Sequence, residues 1–234
     1  MKALELFCGT KCAGKVLENM GYKVISLDFN KKFEPTICVD ICDWDYTDYD
    51  PKEFDIIWAS PECKTFTFSA GGKHRKKDNI MGKTPEAEDG NKMVDAMLKI
   101  LEYFKPKKYF VENPLGLMRY YPGIKKNLGD PLLVWYANYS WKHPKPTHIW
   151  SNVKLWDNEK RPQLPDDWWV MRCGKRRYKA FDKGTRETRS MIPTALIKKL
   201  FVYDKDALPH NTIKEQQVSG QEHQDQKDYS KGNL

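Results

Sequence analysis

The sequence predicts an α/β fold: a largely parallel sheet with helices on both faces. Three observations point there. Short apolar runs alternate with stretches of helical periodicity, several of the runs end in an acid, and 40% of the 234 residues are hydrophobic, enough for a proper core.

The elements follow in order. Ala3-Leu4-Glu5-Leu6-Phe7 is a first strand that runs into Cys8-Gly9-Thr10 and then a helix reaching Met20. Tyr22 to Asp28 is a second strand and Thr36 to Asp40 a third, each closing on an acid. Phe54 to Ser60 is a fourth, stopped by Pro61. Ala87 to Phe104 carries Met93, Met97, Ile100 and Leu101 on one helical face. Lys108 to Val111 is a fifth strand leading to Glu112, and Leu132 to Tyr139 reads as one more. Lys145 to Trp150 reads as a proline-stiffened loop or edge strand, and Pro193 to Phe201 as a last amphipathic helix. Ligands of such sheets sit beyond the carboxyl ends of the strands. Gly9, Asp28, Asp40, Pro61 to Cys63 and Glu112 all fall at that edge.

Charge adds a partner class. Forty Lys and Arg stand against 32 Asp and Glu, for a net +8. The polar, Gln-rich stretch from Asp204 is acidic and has few core-forming residues, so disorder is expected over 204–234. The rest of the chain is therefore strongly basic, which suits a polyanion. Arg172 to Arg189 alone holds eight basic and two acidic residues, with Tyr178 and Phe181 interleaved. No run approaches the ~18 apolar residues of a membrane span, and the first residues lack a signal peptide's apolar core, so a soluble intracellular protein with no membrane partner is expected. Cys8, Cys12, Cys38, Cys42, Cys63 and Cys173 lack the short C-x2-C spacing of zinc knuckles, so reduced thiols and no metal are expected.

Gly9 permits close backbone approach by a ligand, and Asp28, at the end of the second strand, suits a ribose diol. A phosphate-binding G-x-G-x-x-G is absent, so a nucleoside cofactor without phosphate, S-adenosylmethionine, fits better than a dinucleotide. Cys63 lies at the open edge, flanked by proline and by the glycine-containing loop Ala70-Gly71-Gly72-Lys73, and there a thiol of lowered pKa would be a nucleophile. Lys64 would assist that lowering and Glu62 would oppose it. Glu112 can exchange a hydrogen bond with a ring nitrogen.

Together these residues resemble the cytosine-5 DNA methyltransferase family, in particular its short phage and virus type. Leu6-Phe7-Cys8-Gly9-Thr10 resembles the L-F-x-G-x-G cofactor loop, Asp28-Phe29 the acid and hydrophobe for ribose and adenine, and Asp40-Ile41 the adenine-contacting acid. Ser60-Pro61-Glu62-Cys63 resembles the Pro-Pro-Cys loop and Glu112-Asn113-Pro114 the Glu-Asn-Val element. Lys145-Pro146-Thr147 with Trp150-Ser151-Asn152 is similar to a K-P-T-x-x-W-x-N segment, and Arg189 to Pro193 to a late motif beside the cofactor.

The resemblance implies a Rossmann-like methyltransferase fold that uses S-adenosylmethionine on DNA. Cys63 would attack cytosine C6, Glu112 would engage N3, and Lys145 would supply the cation for O2. Phe7, Cys8, Gly9, Thr10, Asp28, Phe29, Asp40, Ile41, Ser60, Pro61, Ser190 and Ile192 would hold the cofactor. The cytosine would be flipped out of the duplex, with the basic stretch Gly71 to Lys77 closing over it. DNA would be held by Lys73, Arg75, Lys76 and Lys77 and by Arg172, Lys175, Arg176 and Arg177. The expected organisation is a catalytic domain over 1–150, a basic recognition region over 151–188, a helix packing back over 189–203, and the tail. Lys11 replaces the second glycine of the cofactor loop, Glu62 the second proline, and no Gln-x-Arg-x-Arg strand is evident around Asn138 to Lys145. An RNA cytosine methyltransferase and a catalytically inactive nucleic-acid-binding relative are the alternatives.

Overall fold

The computed structural model describes residues 1–76, 80–141, 143–163, 169–172, 175–178 and 190–203. A seven-stranded sheet organises residues 1–203, which form one compact unit. Its strands are β1 (Lys2–Leu6), β2 (Lys23–Asp28), β3 (Ile37–Cys38), β4 (Ile56–Ala59), β5 (Lys108–Pro114), β6 (Leu132–Trp135) and β7 (Pro146–Ser151). Their order is β3-β2-β1-β4-β5-β7-β6. Neighbours from β3 to β5 pair in parallel, and β7 runs antiparallel between β5 and β6. The first five strands follow the doubly wound pattern, whose order reverses beside β1 and opens a crevice there.

Alternation along the strands assigns the two faces. Leu4, Leu6, Ile57, Ala59 and Val111 pack with Val94, Met97, Ile100, Leu101 and Phe104 of helix α3 (Pro85–Phe104) and Ile124 of α4 (Pro122–Leu128). Ala3, Ile56, Trp58 and Phe110 face the other way. They meet Ala13, Val16 and Leu17 of α1 (Cys12–Asn19) and Leu196, Ile197, Leu200 and Phe201 of α5 (Thr194–Val202). Strands this buried on both faces read as continuous apolar runs, which is why they were legible.

Three sequence expectations need correction. The run from Leu132 to Tyr139 is a strand only to Trp135, after which Tyr136–Tyr139 coils into a 3-10 turn. The segment Lys145 to Trp150 is neither loop nor edge: β7 is interior, with Thr147, His148, Ile149 and Trp150 buried. Pro146 fits because it occupies the first strand position, where a missing N–H is tolerated. The glycine-containing stretch after Cys63 is helix α2 (Phe68–His74), capped by Thr67. A Cβ at Gly71 would come within 2.1 Å of Leu117 Cδ1, so a side chain there would require the Leu117 tip to move.

Strands β8 (Trp169–Arg172) and β9 (Lys175–Tyr178) form a separate antiparallel pair. Lys77 and residues 204–234 lie outside the described residues, as do the side chains of Arg172, Lys175, Arg176 and Arg177. Among the described residues no helix is long and apolar enough to cross a membrane, and no group of three His, Cys, Asp or Glu is placed to hold a metal.

Candidate active site

The turn between β1 and α1 is tightly wound. Phe7, Gly9 and Lys11 all take positive φ, at 57°, 46° and 58°. Backbone in this region favours glycine, so the Lys11 position explains why a glycine would be at home there. Asp28, at the end of β2, holds the turn: its Oδ2 accepts from Gly9 N at 3.0 Å and its Oδ1 from Asn30 N at 2.9 Å.

Beside this turn lies a cavity of 290 Å³. Phe7, Cys8, Gly9 and Thr10 line it from β1, and Ser60, Pro61, Glu62 and Cys63 from β4. Glu112 and Pro114 enter from β5, Lys145 from the approach to β7, and Ser190 and Ile192 from the segment before α5. The three residues expected to react, and eight of the twelve expected to hold the cofactor, thus share one concavity. Asp28, Phe29, Asp40 and Ile41 do not line it. Phe29 is exposed, Asp40 is half-buried and accepts from Cys42 N, and the Ile41 side chain is committed to the core. The Ile41 side chain is 4% exposed and packs within the core, away from the cavity lining.

Cys63 is partly buried, and its thiol is pushed up to about 11. Burial is the largest cause, followed by the nearby Glu112 and Glu62 carboxylates, while Lys145 pulls the other way. The assisting cation is thus Lys145 and not the sequence neighbour Lys64, which is exposed. Glu112 is 5% exposed, and its Oε1 accepts from Tyr136 Oη at 2.8 Å. Asn113 Nδ2 donates to Pro61 O at 3.0 Å, joining the end of β5 to the Cys63 loop.

A buried arginine fixes the rest of that loop. Arg75 donates to Thr65 O, Thr65 Oγ1, Ile80 O and Asn91 Oδ1, and its guanidinium lies 3.3 Å from the Phe66 ring centroid. At 1% exposure it is a structural clamp and not a phosphate ligand, which corrects the expectation for this residue. Its neighbours Lys73 and Lys76 are exposed.

Sequence reasoning missed Glu5 and Tyr136. Glu5 lines the cavity, is 2% exposed, and accepts from Ala13 N at 3.1 Å, so its carboxyl occupies the N-terminal end of α1. Its Oε2 lies against Gly14, where a Cβ would come within 2.4 Å. Burial pushes this carboxyl up to about 7. An acid inside an otherwise apolar strand was the available signal. Tyr136 gave none, since it meets Glu112 only through the pairing of β6 with β7 and β7 with β5. Cys8 is pushed up to about 12, chiefly by burial, and remains a thiol.

No family model matches the chain. A probable DNA (cytosine-5)-methyltransferase of Frog virus 3 is 31% identical over 166 residues, covering 66% of this chain and 72% of that protein. Among solved structures, the Entamoeba histolytica methyltransferase EhMeth is 16% identical over 73% of this chain, with a TM-score of 0.49. A Dnmt2 methyltransferase of S. pombe is 13% identical over 73% of the chain, with a TM-score of 0.44. In each of these two the match spans 63% of the solved chain's length.

Proposed function

Because the chain belongs to the cytosine-5 DNA methyltransferase family, we propose that it methylates C5 of cytosine in DNA through a covalent adduct at Cys63. One observation carries this reading: a thiol, a carboxyl and an ammonium, from Cys63, Glu112 and Lys145, converge on the cavity that also takes in the Phe7 to Thr10 turn. Cytosine C5 is a weak nucleophile. Addition of Cys63 Sγ to C6 forms an S–C6 bond and moves electron density to C5, while Glu112 engages N3 and Lys145 faces O2. Once C5 has gained its methyl, a base takes the C5 proton, the released electron pair re-forms the C5–C6 double bond, and the S–C6 bond breaks to return the thiolate. Attack from above the ring requires the cytosine to leave the stack.

S-adenosylmethionine fits the residues present. Helix N-termini attract anions, and here the protein's own Glu5 carboxyl already fills the start of α1. A phosphate is disfavoured beside it, whereas a positively charged ligand is favoured. When bound, S-adenosylmethionine supplies an electrophilic methyl. Phe7, Cys8, Gly9, Thr10, Ser60, Pro61, Ser190 and Ile192 would hold it, with Asp28, Phe29 and Asp40 toward its nucleoside. Lys73 and Lys76, with Arg172, Lys175, Arg176 and Arg177 on the β8–β9 pair, would hold DNA phosphates, and residues 151–188 would act as the recognition region.

Burial and the Glu112 and Glu62 carboxylates push the resting thiol up to about 11, which favours its protonated form at neutral pH, so formation of the adduct requires its ionisation. The test is labelled methyl transfer to matched DNA and RNA duplexes, with 5-fluorocytosine DNA as a covalent trap. Transfer to DNA is expected, and Cys63→Ala should abolish it while leaving cofactor affinity within a few-fold. Normal turnover by Cys63→Ala overturns the mechanism, and transfer to RNA alone moves the substrate.

A further inference from the structure

Glu112 reaches the cavity with one oxygen already engaged from behind. The phenol of Tyr136 donates to Oε1 at 2.8 Å, and Tyr136 is fully buried and does not line the cavity. It therefore touches the carboxyl without touching anything the cavity holds. A glutamate's terminal torsion is broad and roughly two-fold, so a carboxyl without such a partner samples a wide range of orientations. Engaging Oε1 leaves Oε2 for the ring nitrogen of a base.

Tyr136 is itself held on three sides. Its ring faces the Lys145 ammonium, 4.6 Å from the ring centroid, and its N–H donates to Lys145 O. The 3-10 turn that it begins is fixed by Glu159, which accepts from Trp135 N at 2.9 Å, Asn138 Nδ2 at 2.8 Å, Trp156 Nε1 at 3.2 Å and Tyr139 Oη. Neither residue belongs to a motif of the reading above.

We propose that Tyr136 is a positioning residue for Glu112: its buried hydroxyl sets the carboxyl for the base, its ring face seats Lys145, and Glu159 holds the turn that presents it. This rests on the cytosine methyltransferase reading. Burial and the Glu112 carboxylate raise the phenol well above its ordinary value, so it remains a donor throughout the working pH range.

Tyr136→Phe keeps the ring and removes the donor. Its kcat should fall roughly 10- to 100-fold, the scale of a misplaced catalytic group, with KM for DNA and affinity for S-adenosylmethionine unchanged. In a Glu112→Ala background the same change should cause no further loss in the rate of adduct formation with 5-fluorocytosine DNA, because the effect passes through the carboxyl. Glu159→Gln, which leaves the cavity lining intact, should show a smaller loss with the same split. A kcat within two-fold of the unaltered chain in both variants overturns the proposal, as does an equal loss with and without Glu112. Methyl transfer by the unaltered chain tests the parent reading separately. If that transfer is absent, the carboxyl carbon resonance of Glu112, assigned through Glu112→Gln in labelled protein, still decides: it should move in Tyr136→Phe, and an unmoved signal overturns the contact.

Discussion

Beyond β1 and β2, the acid at the sheet's edge is tied to the protein's own backbone. Beyond β4 and β5 and before β7, charged groups instead line a cavity together with the Cys63 thiol. Asp28 spends both oxygens on amides of adjoining loops, whereas Glu112, Glu62 and Lys145 all act on the Cys63 thiol. The first arrangement shapes a surface, because each bond fixes the path of a loop. The second sets a chemical potential, because burial strengthens each charge's effect on its neighbours. Under the proposed function, the first half of the edge would receive the cofactor and the second would act on the base.

The comparison can be broken at Asp28. Asp28→Ala removes the acceptor for Gly9 N and for Asn30 N, and with them the support for a turn whose Gly9 has a φ of 46°. We expect cofactor affinity to fall by about 1.5–3 kcal/mol, the range for a hydrogen bond to a charged group. The Cys63 half should be spared, so the rate of Cys63 alkylation without cofactor should match the unaltered chain. Calorimetry and thiol labelling read the two halves separately. A cofactor affinity unchanged by the substitution would remove the first half's assigned role.

Parts of both halves were visible in the sequence. The turn and the Asp28 position were readable because they are local: a glycine turn follows a strand, and Asp28 ends the next strand. Cys63 and Glu112 were readable for the same reason, as each closes a buried apolar run. What stayed hidden depends on contacts between distant segments. Arg75 looked like a surface cation within a basic stretch, yet Thr65 and Asn91, from either side of it in sequence, supply the acceptors that bury it. The assisting cation for Cys63 is 82 positions away at Lys145, not next to it at Lys64. β7 looked like an edge because of Pro146, and only its burial between β5 and β6 shows otherwise.

Glu5 sharpens the comparison, since it lies under the turn yet titrates like a member of the reacting half. Its carboxyl stands near 7 against an ordinary 4.5, chiefly because it is buried. Between those values the folded chain holds a proton that the unfolded chain has released, so Glu5's contribution to stability declines as pH rises across the window. Binding a cation has the opposite sign, because it favours the ionised form. Cofactor affinity should therefore rise with pH below about 7, by up to about tenfold per unit, and Glu5→Gln should flatten the rise. A pH-independent affinity in the unaltered chain would place the cofactor's positive charge away from Glu5.

The smallest effect is expected at Lys11. Its φ of 58° and ψ of 41° lie in the left-handed region, where a side chain costs about 1–2 kcal/mol. Its Nζ reaches Glu34 O, an exposed contact that offsets little of that cost. Lys11→Gly relieves the strain but gives the unfolded chain more freedom, worth roughly 0.4–1 kcal/mol in the other direction. The net gain should be near 1 kcal/mol, seen as a rise of about 2–4 °C in melting temperature for a domain of this size. Since Asp28 and not Lys11 holds the Gly9 amide, cofactor affinity should hardly change. A stabilised variant that binds normally would show the turn to be set by its carboxylate. If the variant instead bound the cofactor several-fold more weakly, the lysine itself would belong to the receiving half.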